Sequence, residues 1–98
     1  MPVLKVGDLQ DGESTCIEAG GLKLAIFFTE GEYYCIDELC THANVSLCGG
    51  EVSDKEVFCP LHMASFSLLT GEATGPPAYD PVNTYPVRIS GDMIEVQI

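Results

Sequence analysis

Basic side chains are scarce in this chain. It has four, Lys5, Lys23, Lys55 and Arg88, against fifteen acidic residues, so its formal net charge is −11. Four cations cannot form a basic patch, and nucleic acid and anionic membrane surfaces are therefore poor partners. The acidity has two interpretations: it keeps the protein soluble, or it attracts a basic partner protein.

Long apolar segments are also absent. The N-terminal stretch MPVLKVGDLQDGEST has no apolar run of signal-peptide length, and no later run is long enough to span a membrane. We therefore expect a cytoplasmic protein. Because that compartment keeps thiols reduced, we expect the five cysteines to be metal ligands or packed apolar residues, and not structural disulfides.

Helical periodicity is the third absence, since no apolar pattern at helical spacing persists along the chain. Apolar and β-branched segments predict strands at residues 14–18, 22–29 and 33–37, and alternation predicts another at 94–98. Turn residues predict tight connections at Gly20-Gly21, Glu30-Gly31 and Gly91-Asp92. Without repeats or a linker, residues 1–98 are expected to form one all-β domain, a small antiparallel β-sandwich or barrel.

Two stretches interrupt the strand pattern, residues 38–50 and 60–81. Both have the composition of loops, and both begin at a pair of cysteine and histidine residues. Functional residues tend to lie on loops that a rigid β scaffold positions. We therefore expect the functional site on these two loops, side by side.

The two cysteine–histidine pairs are CTH at residues 40–42 and CPLH at residues 59–62, with sixteen residues between the motifs. Each pair supplies one thiolate and one imidazole, so two adjacent loops can provide four metal ligands. The pairs use both histidines of the chain, and none remains for acid–base catalysis.

Three kinds of site compete for these four residues. Two cysteines and two histidines suit tetrahedral zinc, but zinc fingers usually separate a Cys-x-x-Cys pair from a pair of histidines. A cysteine–histidine nucleophile has no use for a second, redundant pair on one small domain. The third possibility is a Rieske [2Fe–2S] cluster, in which two cysteines hold one iron and two histidines hold the other.

CTH followed sixteen residues later by CPLH resembles the motif of Rieske-type ferredoxins, specifically the soluble ferredoxin components of bacterial aromatic-ring-hydroxylating dioxygenase systems. The resemblance covers the whole chain. It implies the Rieske fold, a small antiparallel β-sandwich with a cluster-binding loop subdomain. It also implies one [2Fe–2S] cluster, with Cys40 and Cys59 on the inner iron and His42 and His62 on the outer iron.

The function that the resemblance implies is electron transfer. The protein would be a monomeric electron carrier, not an enzyme, that passes single electrons from an NAD(P)H-dependent flavoprotein reductase to a terminal dioxygenase. A small Rieske subunit of a nitrite reductase or of another oxidoreductase is one alternative, although some nitrite reductase subunits lack cluster ligands. A zinc-stabilised binding module is the more remote alternative, and it would be colourless.

The other cysteines bear on the choice of subfamily. Respiratory Rieske proteins carry two further cysteines that join the cluster loops by a disulfide, and Val45 and Leu61 occupy those positions here. That disulfide therefore cannot form. We expect Cys16, Cys35 and Cys48 to be packed thiols.

Further residues resemble or depart from the family pattern. Gly75-Pro76-Pro77 resembles the proline loop that covers the cluster. Leu47 and Leu61, in the ligand loops, are candidates to shield it, and packing in the core is the alternative for either. Met63 stands where many relatives have glycine, and a positive φ there would strain methionine.

High-potential relatives have Ser and Tyr, whose hydroxyls bond to cluster sulfurs, where this chain has Ala64 and Phe66. We therefore expect a low reduction potential.

Overall fold

The computed structural model describes residues 2–41, 45–60, 64–75 and 80–98, in which the regular elements are β-strands. In chain order they are β1 (Pro2–Lys5), β2 (Ser14–Ala19), β3 (Leu22–Thr29), β4 (Glu32–Asp37), β5 (Val52–Ser53), β6 (Glu56–Phe58), β7 (Ser65–Ser67), β8 (Ala73–Gly75), β9 (Thr84–Tyr85), β10 (Val87–Ser90) and β11 (Met93–Val96). All strand pairs are antiparallel, which confirms the predicted fold class. Within those ranges, no helix has the length and apolar character needed to cross a membrane.

The central sheet has the strand order β2-β3-β4-β9. Its longest strand is β3, in which residues 24–27 are fully buried. Side chains of successive residues point to opposite faces, so both faces of this strand are covered, as its continuous apolar run requires. The predicted tight connections join β2 to β3 and β3 to β4. In the second connection, Glu30 (φ 53°) and Gly31 (φ 80°) have the left-handed conformation.

One face of the central sheet packs against a three-stranded sheet of order β1-β11-β10. The connection predicted at Gly91-Asp92 joins β10 to β11, and β11 ends at Val96, before the predicted end at residue 98. The buried residues of this layer are Leu9, Ala19, Leu24, Ile26, Cys35 and Val96. This is the sandwich that the alternating pattern predicted.

A sheet of order β5-β6-β7-β8 lies at the other face of the central sheet. The core between them contains Ala25, Phe27, Ile36, Cys40, Leu47, Val57, Cys59, Ala64, Phe66, Leu68 and Val82. This small sheet and the loops beside it carry both cysteines of the two motifs. It is therefore the part of the fold that positions the candidate site.

The prediction that residues 60–81 form a loop is wrong in part, because β7 and β8 lie within this stretch. Each of these strands has three residues, too few for an alternating pattern to be recognised in the sequence. The hairpin of β5 and β6 also lacked a signal. Its turn residues Asp54 (φ 52°) and Lys55 (φ 61°) both have positive φ without the glycine that usually marks such a turn.

Candidate metal centre

The structure brings Cys40 and Cys59 into the same buried cluster. Cys40 follows β4 and is 2% exposed, whereas Cys59 directly follows β6 and is fully buried. Neither is disulfide-bonded. The predicted partners His42 and His62 lie outside the described residues, and so does Met63. Of the four predicted ligands, the structure thus places the two cysteines, and it places them together.

The loop that carries Cys40 is closed by main-chain hydrogen bonds. The Cys40 N–H donates to the carbonyl oxygen of Val45 at 2.9 Å, and the Leu47 N–H donates to that of Glu38 at 2.7 Å. A β-bridge pairs Leu39 with Ser46 between these bonds. Leu47 is fully buried in the core and anchors the returning arm. Cys40 is therefore fixed at the stem of a narrow loop.

The loop that carries Cys59 is closed in the same way. The Cys59 N–H donates to the carbonyl oxygen of Ala64, and the adjacent residues Phe58 and Ser65 are paired between β6 and β7. In both loops the cysteine bonds to the residue five positions further along. A β-bridge in the first loop and a strand pair in the second thus present the two cysteines at equivalent stem positions.

The segment predicted to cover the cluster is Gly75-Pro76-Pro77. Pro76 and Pro77 lie outside the described residues. Gly75 before these prolines and Asp80 after them are described, and they contact different parts of the fold. Gly75 is so close to β7 that a Cβ at this position would lie 2.5 Å from the Ser65 hydroxyl. The Asp80 carbonyl accepts a 2.7 Å hydrogen bond from the Thr41 hydroxyl. Gly75 therefore contacts β7, next to the second loop, and Asp80 contacts the first loop.

The prediction that Cys16 and Cys48 are packed thiols is wrong, because they form a disulfide with a Cα–Cα distance of 5.8 Å. They are 32 residues apart in sequence. Nothing local in the sequence indicates that the first loop folds back along β2, and this approach creates the pair. The prediction for Cys35 agrees with its position: it is a buried thiol, and burial followed by the nearby Asp37 raises its pKa to about 12.

The chemistry of the described residues fits an iron–sulfur cluster. Two thiols outside any disulfide lie in one apolar core, and thiolate sulfur is the ligand that iron–sulfur clusters require. Ala64 and Phe66 are fully buried beside them and carry no hydroxyl. Among the described residues, those that share this buried cluster with the two cysteines are apolar.

Family comparison identifies the class of protein. The Rieske [2Fe-2S] domain family matches residues 1–86, so this chain belongs to that family, whose domain binds a [2Fe–2S] cluster. The predicted cofactor is therefore confirmed.

Individual relatives narrow the class. The chain is 42% identical over 94 residues to the 3-phenylpropionate/cinnamic acid dioxygenase ferredoxin subunit of Shigella flexneri serotype 5b, covering 95% of this chain and 88% of that protein. The ferredoxin of carbazole 1,9a-dioxygenase from Nocardioides aromaticivorans IC177 is 31% identical, with a TM-score of 0.93 and coverage of 98% and 94%. Sphingomonas yanoikuyae B1 ferredoxin has the same identity and TM-score, with coverage of 100% and 97%. The predicted resemblance to dioxygenase ferredoxins is confirmed.

Two more distant structures share the fold alone. One is the ferredoxin in a complex of reduced oxygenase and oxidized ferredoxin of carbazole 1,9a-dioxygenase, at 24% identity and a TM-score of 0.92, covering 99% of this chain and 100% of that one. The other is a putative NADH-dependent nitrite reductase small subunit from Mycobacterium tuberculosis, at 19% identity and a TM-score of 0.89, covering 98% and 91%.

Proposed function

We propose that this chain, as a single domain of residues 1–98, is the ferredoxin component of an aromatic-ring-hydroxylating dioxygenase system. It receives single electrons from an NAD(P)H-dependent flavoprotein reductase and delivers them to a terminal oxygenase. The observation that carries the proposal is the equivalent placement of Cys40 and Cys59 at two loop stems in a chain of the Rieske family. The relatives named as dioxygenase ferredoxins support the choice of system.

The proposed ligands are Cys40 and Cys59 on the inner iron and His42 and His62 on the outer iron. When bound, the cluster supplies a centre that accepts and releases one electron. The chain's own contribution is to hold the two thiolates rigidly at the loop stems. Their burial, at 2% exposure for Cys40 and none for Cys59, keeps water from the sulfur atoms.

A carrier that is not itself an enzyme fits this donor set best. The two motifs use both histidines of the chain, so no imidazole remains to build a second iron site for oxygen chemistry. A nitrite reductase small subunit is the alternative, and its support is likeness of fold. The 42% identity to a dioxygenase ferredoxin subunit favours the dioxygenase system.

The charge of the chain suits a carrier that must dock twice. With a formal net charge of −11, it would be attracted to basic surfaces on a reductase and on an oxygenase in turn. One of its four cations, Arg88, is already paired with Glu95 at 2.8 Å. We place this electron transfer in the cytoplasm. We also propose that the chain is a monomer, which suits a carrier that must dock with two partners in turn.

The metal content of the purified protein tests the proposed centre. Aerobically purified chain should be red-brown and contain two irons and two acid-labile sulfides, as expected for one [2Fe–2S] cluster. His42→Ala and His62→Ala should each lose or degrade the cluster. A colourless protein that contains zinc would overturn the proposal in favour of a zinc-stabilised module.

A further inference from the structure

The disulfide between Cys16 and Cys48 belongs to a group of contacts that fastens the first cluster loop to β2. β2 is an outer strand of the central sheet, and residues 45–50 lie along it. The Ser46 hydroxyl lies 3.4 Å from the Cys16 sulfur and accepts the Cys48 N–H at 3.1 Å. One residue further, the Gly49 N–H donates to the Ser14 hydroxyl at 2.7 Å. We call these five residues the β2 clasp.

The β2 clasp is continuous with the stem that positions Cys40. Cys48 directly follows Leu47, whose N–H bonds to the Glu38 carbonyl and whose side chain is fully buried. Two residues before Leu47, the Val45 carbonyl accepts the Cys40 N–H. The arm that closes the loop around Cys40 is thus the same arm that the disulfide ties to β2.

Exposure distinguishes this disulfide from a buried structural bridge. Cys16 is exposed on the outer strand, and Cys48 is half-buried. Thiol–disulfide exchange requires a thiolate to reach one sulfur of the bond, and exposed disulfides are the labile ones. Disulfides in a reducing compartment are usually transient or redox-sensing, so an accessible bridge in a cytoplasmic carrier would be opened and closed by cellular thiols.

We propose that Cys16–Cys48 is a thiol–disulfide exchange site, separate from the cluster, whose state sets how firmly the first cluster loop is held to β2. The reactant is a thiolate of glutathione or of a protein dithiol. It attacks the Cys16 sulfur, the bond between the two cysteines breaks, and Cys48 leaves as a thiolate that takes up a proton. A second thiolate attacks the reagent's sulfur in this mixed disulfide and releases Cys16, which is protonated.

The net reaction converts the protein disulfide and two thiols into a protein dithiol and the reagent's disulfide, so two electrons and two protons are transferred to the protein. No cluster electron is needed. After opening, the burial of Leu47 and the bond from its N–H to the Glu38 carbonyl remain, so the fold is kept. The change is confined to residues 45–50, which lose their covalent tether to β2.

Alkylation of the holoprotein followed by peptide mapping tests the exchange. Before any reductant, Cys16 and Cys48 should resist alkylation, and after treatment with glutathione or with thioredoxin plus its reductase both should be labelled. If both reagents or one alone opens the disulfide, the result supports the exchange site and identifies which thiol reduces it. Cys35 is an internal control that should stay unlabelled throughout, because it is 2% exposed and its pKa is raised to about 12.

Two results would overturn the exchange site: full labelling of Cys16 without reductant, or resistance of the pair to both reagents. Hydrogen exchange tests the mechanical part separately. The amides of Cys48 and Gly49 should lose protection in the opened protein and in Cys16→Ser, but not in the control Cys35→Ser. Unchanged protection in both the opened protein and Cys16→Ser would show that the disulfide does not hold the loop. Because these readouts do not involve electron transfer, they are independent of the proposed partners.

Discussion

Cys40 and Cys59 are related by the same hydrogen bond: each donates its main-chain N–H to the carbonyl oxygen of the residue five positions further on, Val45 in one loop and Ala64 in the other. The first loop grows from the end of β4 and the second from β6 and β7, so the likeness does not come from a shared strand. Each bond holds the main chain of its cysteine at the stem, and the histidine of each motif follows the cysteine by two or three residues in sequence. Two similar stems in one core can hold two thiolates on a single iron.

This relationship predicts that burial alone does not make a cysteine essential. Cys35 and Cys40 are equally buried, each 2% exposed, but only Cys40 stands at a loop stem. Cys40→Ser should abolish the cluster. Cys35→Ser should keep it at the cost of about 1–3 kcal/mol of stability if the new hydroxyl finds no partner. Iron and sulfide analysis checks both variants, and a cluster-free Cys35→Ser beside an intact Cys40→Ser would reverse the assignment.

The hydroxyl of Thr41 is predicted to fasten Asp80, which follows the proposed proline cover in sequence, to the first loop through its 2.7 Å bond to the Asp80 carbonyl. Thr41→Val preserves the shape of the side chain but removes the donor, and should lower stability by about 0.5–1.5 kcal/mol. The cluster should also bleach faster on heating. Thr41→Ser, which retains the hydroxyl, is the matched control. Equal bleaching rates in the valine variant and the wild type would show that this bond does not secure the site.

The reduction potential should lie near the low end of the range for Rieske centres, about −150 to +300 mV. Hydroxyl donors to cluster sulfurs raise the potential because they stabilise the added negative charge, and the fully buried Ala64 and Phe66 have none. Ala64→Ser and Phe66→Tyr should each raise it if the new hydroxyl reaches sulfur. Tyr85→Phe, in the other core layer, should not change it. Voltammetry decides, and a native midpoint in the upper half of the range would contradict a low-potential carrier.

The phenol of Tyr85 should titrate late. Burial, followed by its 2.7 Å hydrogen bond to Asp37 and the charge of that carboxylate, raises its pKa from 10 to about 12. The folded state therefore holds this proton more tightly than the unfolded state. The resulting stability is present below pH 10 and is lost as the pH rises toward 12. In Asp37→Asn, the pKa measured from the Tyr85 ring carbon by NMR should fall toward its ordinary value. An unchanged pKa would exclude the carboxylate as a cause.

Local patterns made part of this structure predictable. Gly20-Gly21 marked its turn because glycine tolerates positive φ, and both residues have it, at 58° and 80°. The apolar run of β3 predicted a strand without any knowledge of the elements that cover its two faces. The motifs at 40–42 and 59–62 indicated the chemistry because the residue types and their spacing are specific to few metal sites.

Contacts made only in the folded chain could not be predicted. The three-residue strand β7 forms because it pairs with β6 and buries Phe66. The three residues of β7 do not by themselves indicate either contact. The Cys16–Cys48 disulfide depends on the first loop returning to β2 across 32 residues. A reducing compartment disfavours structural disulfides, but it does not exclude a disulfide with an exposed sulfur such as that of Cys16.

Electron–nuclear double resonance on the reduced protein can show whether two cysteines and two histidines hold one [2Fe–2S] cluster that carries a single electron. We expect one unpaired spin per chain, coupled to the nitrogens of two imidazoles, His42 and His62. A reduced protein without a paramagnetic centre, or a centre with no coupled imidazole nitrogen, would contradict it.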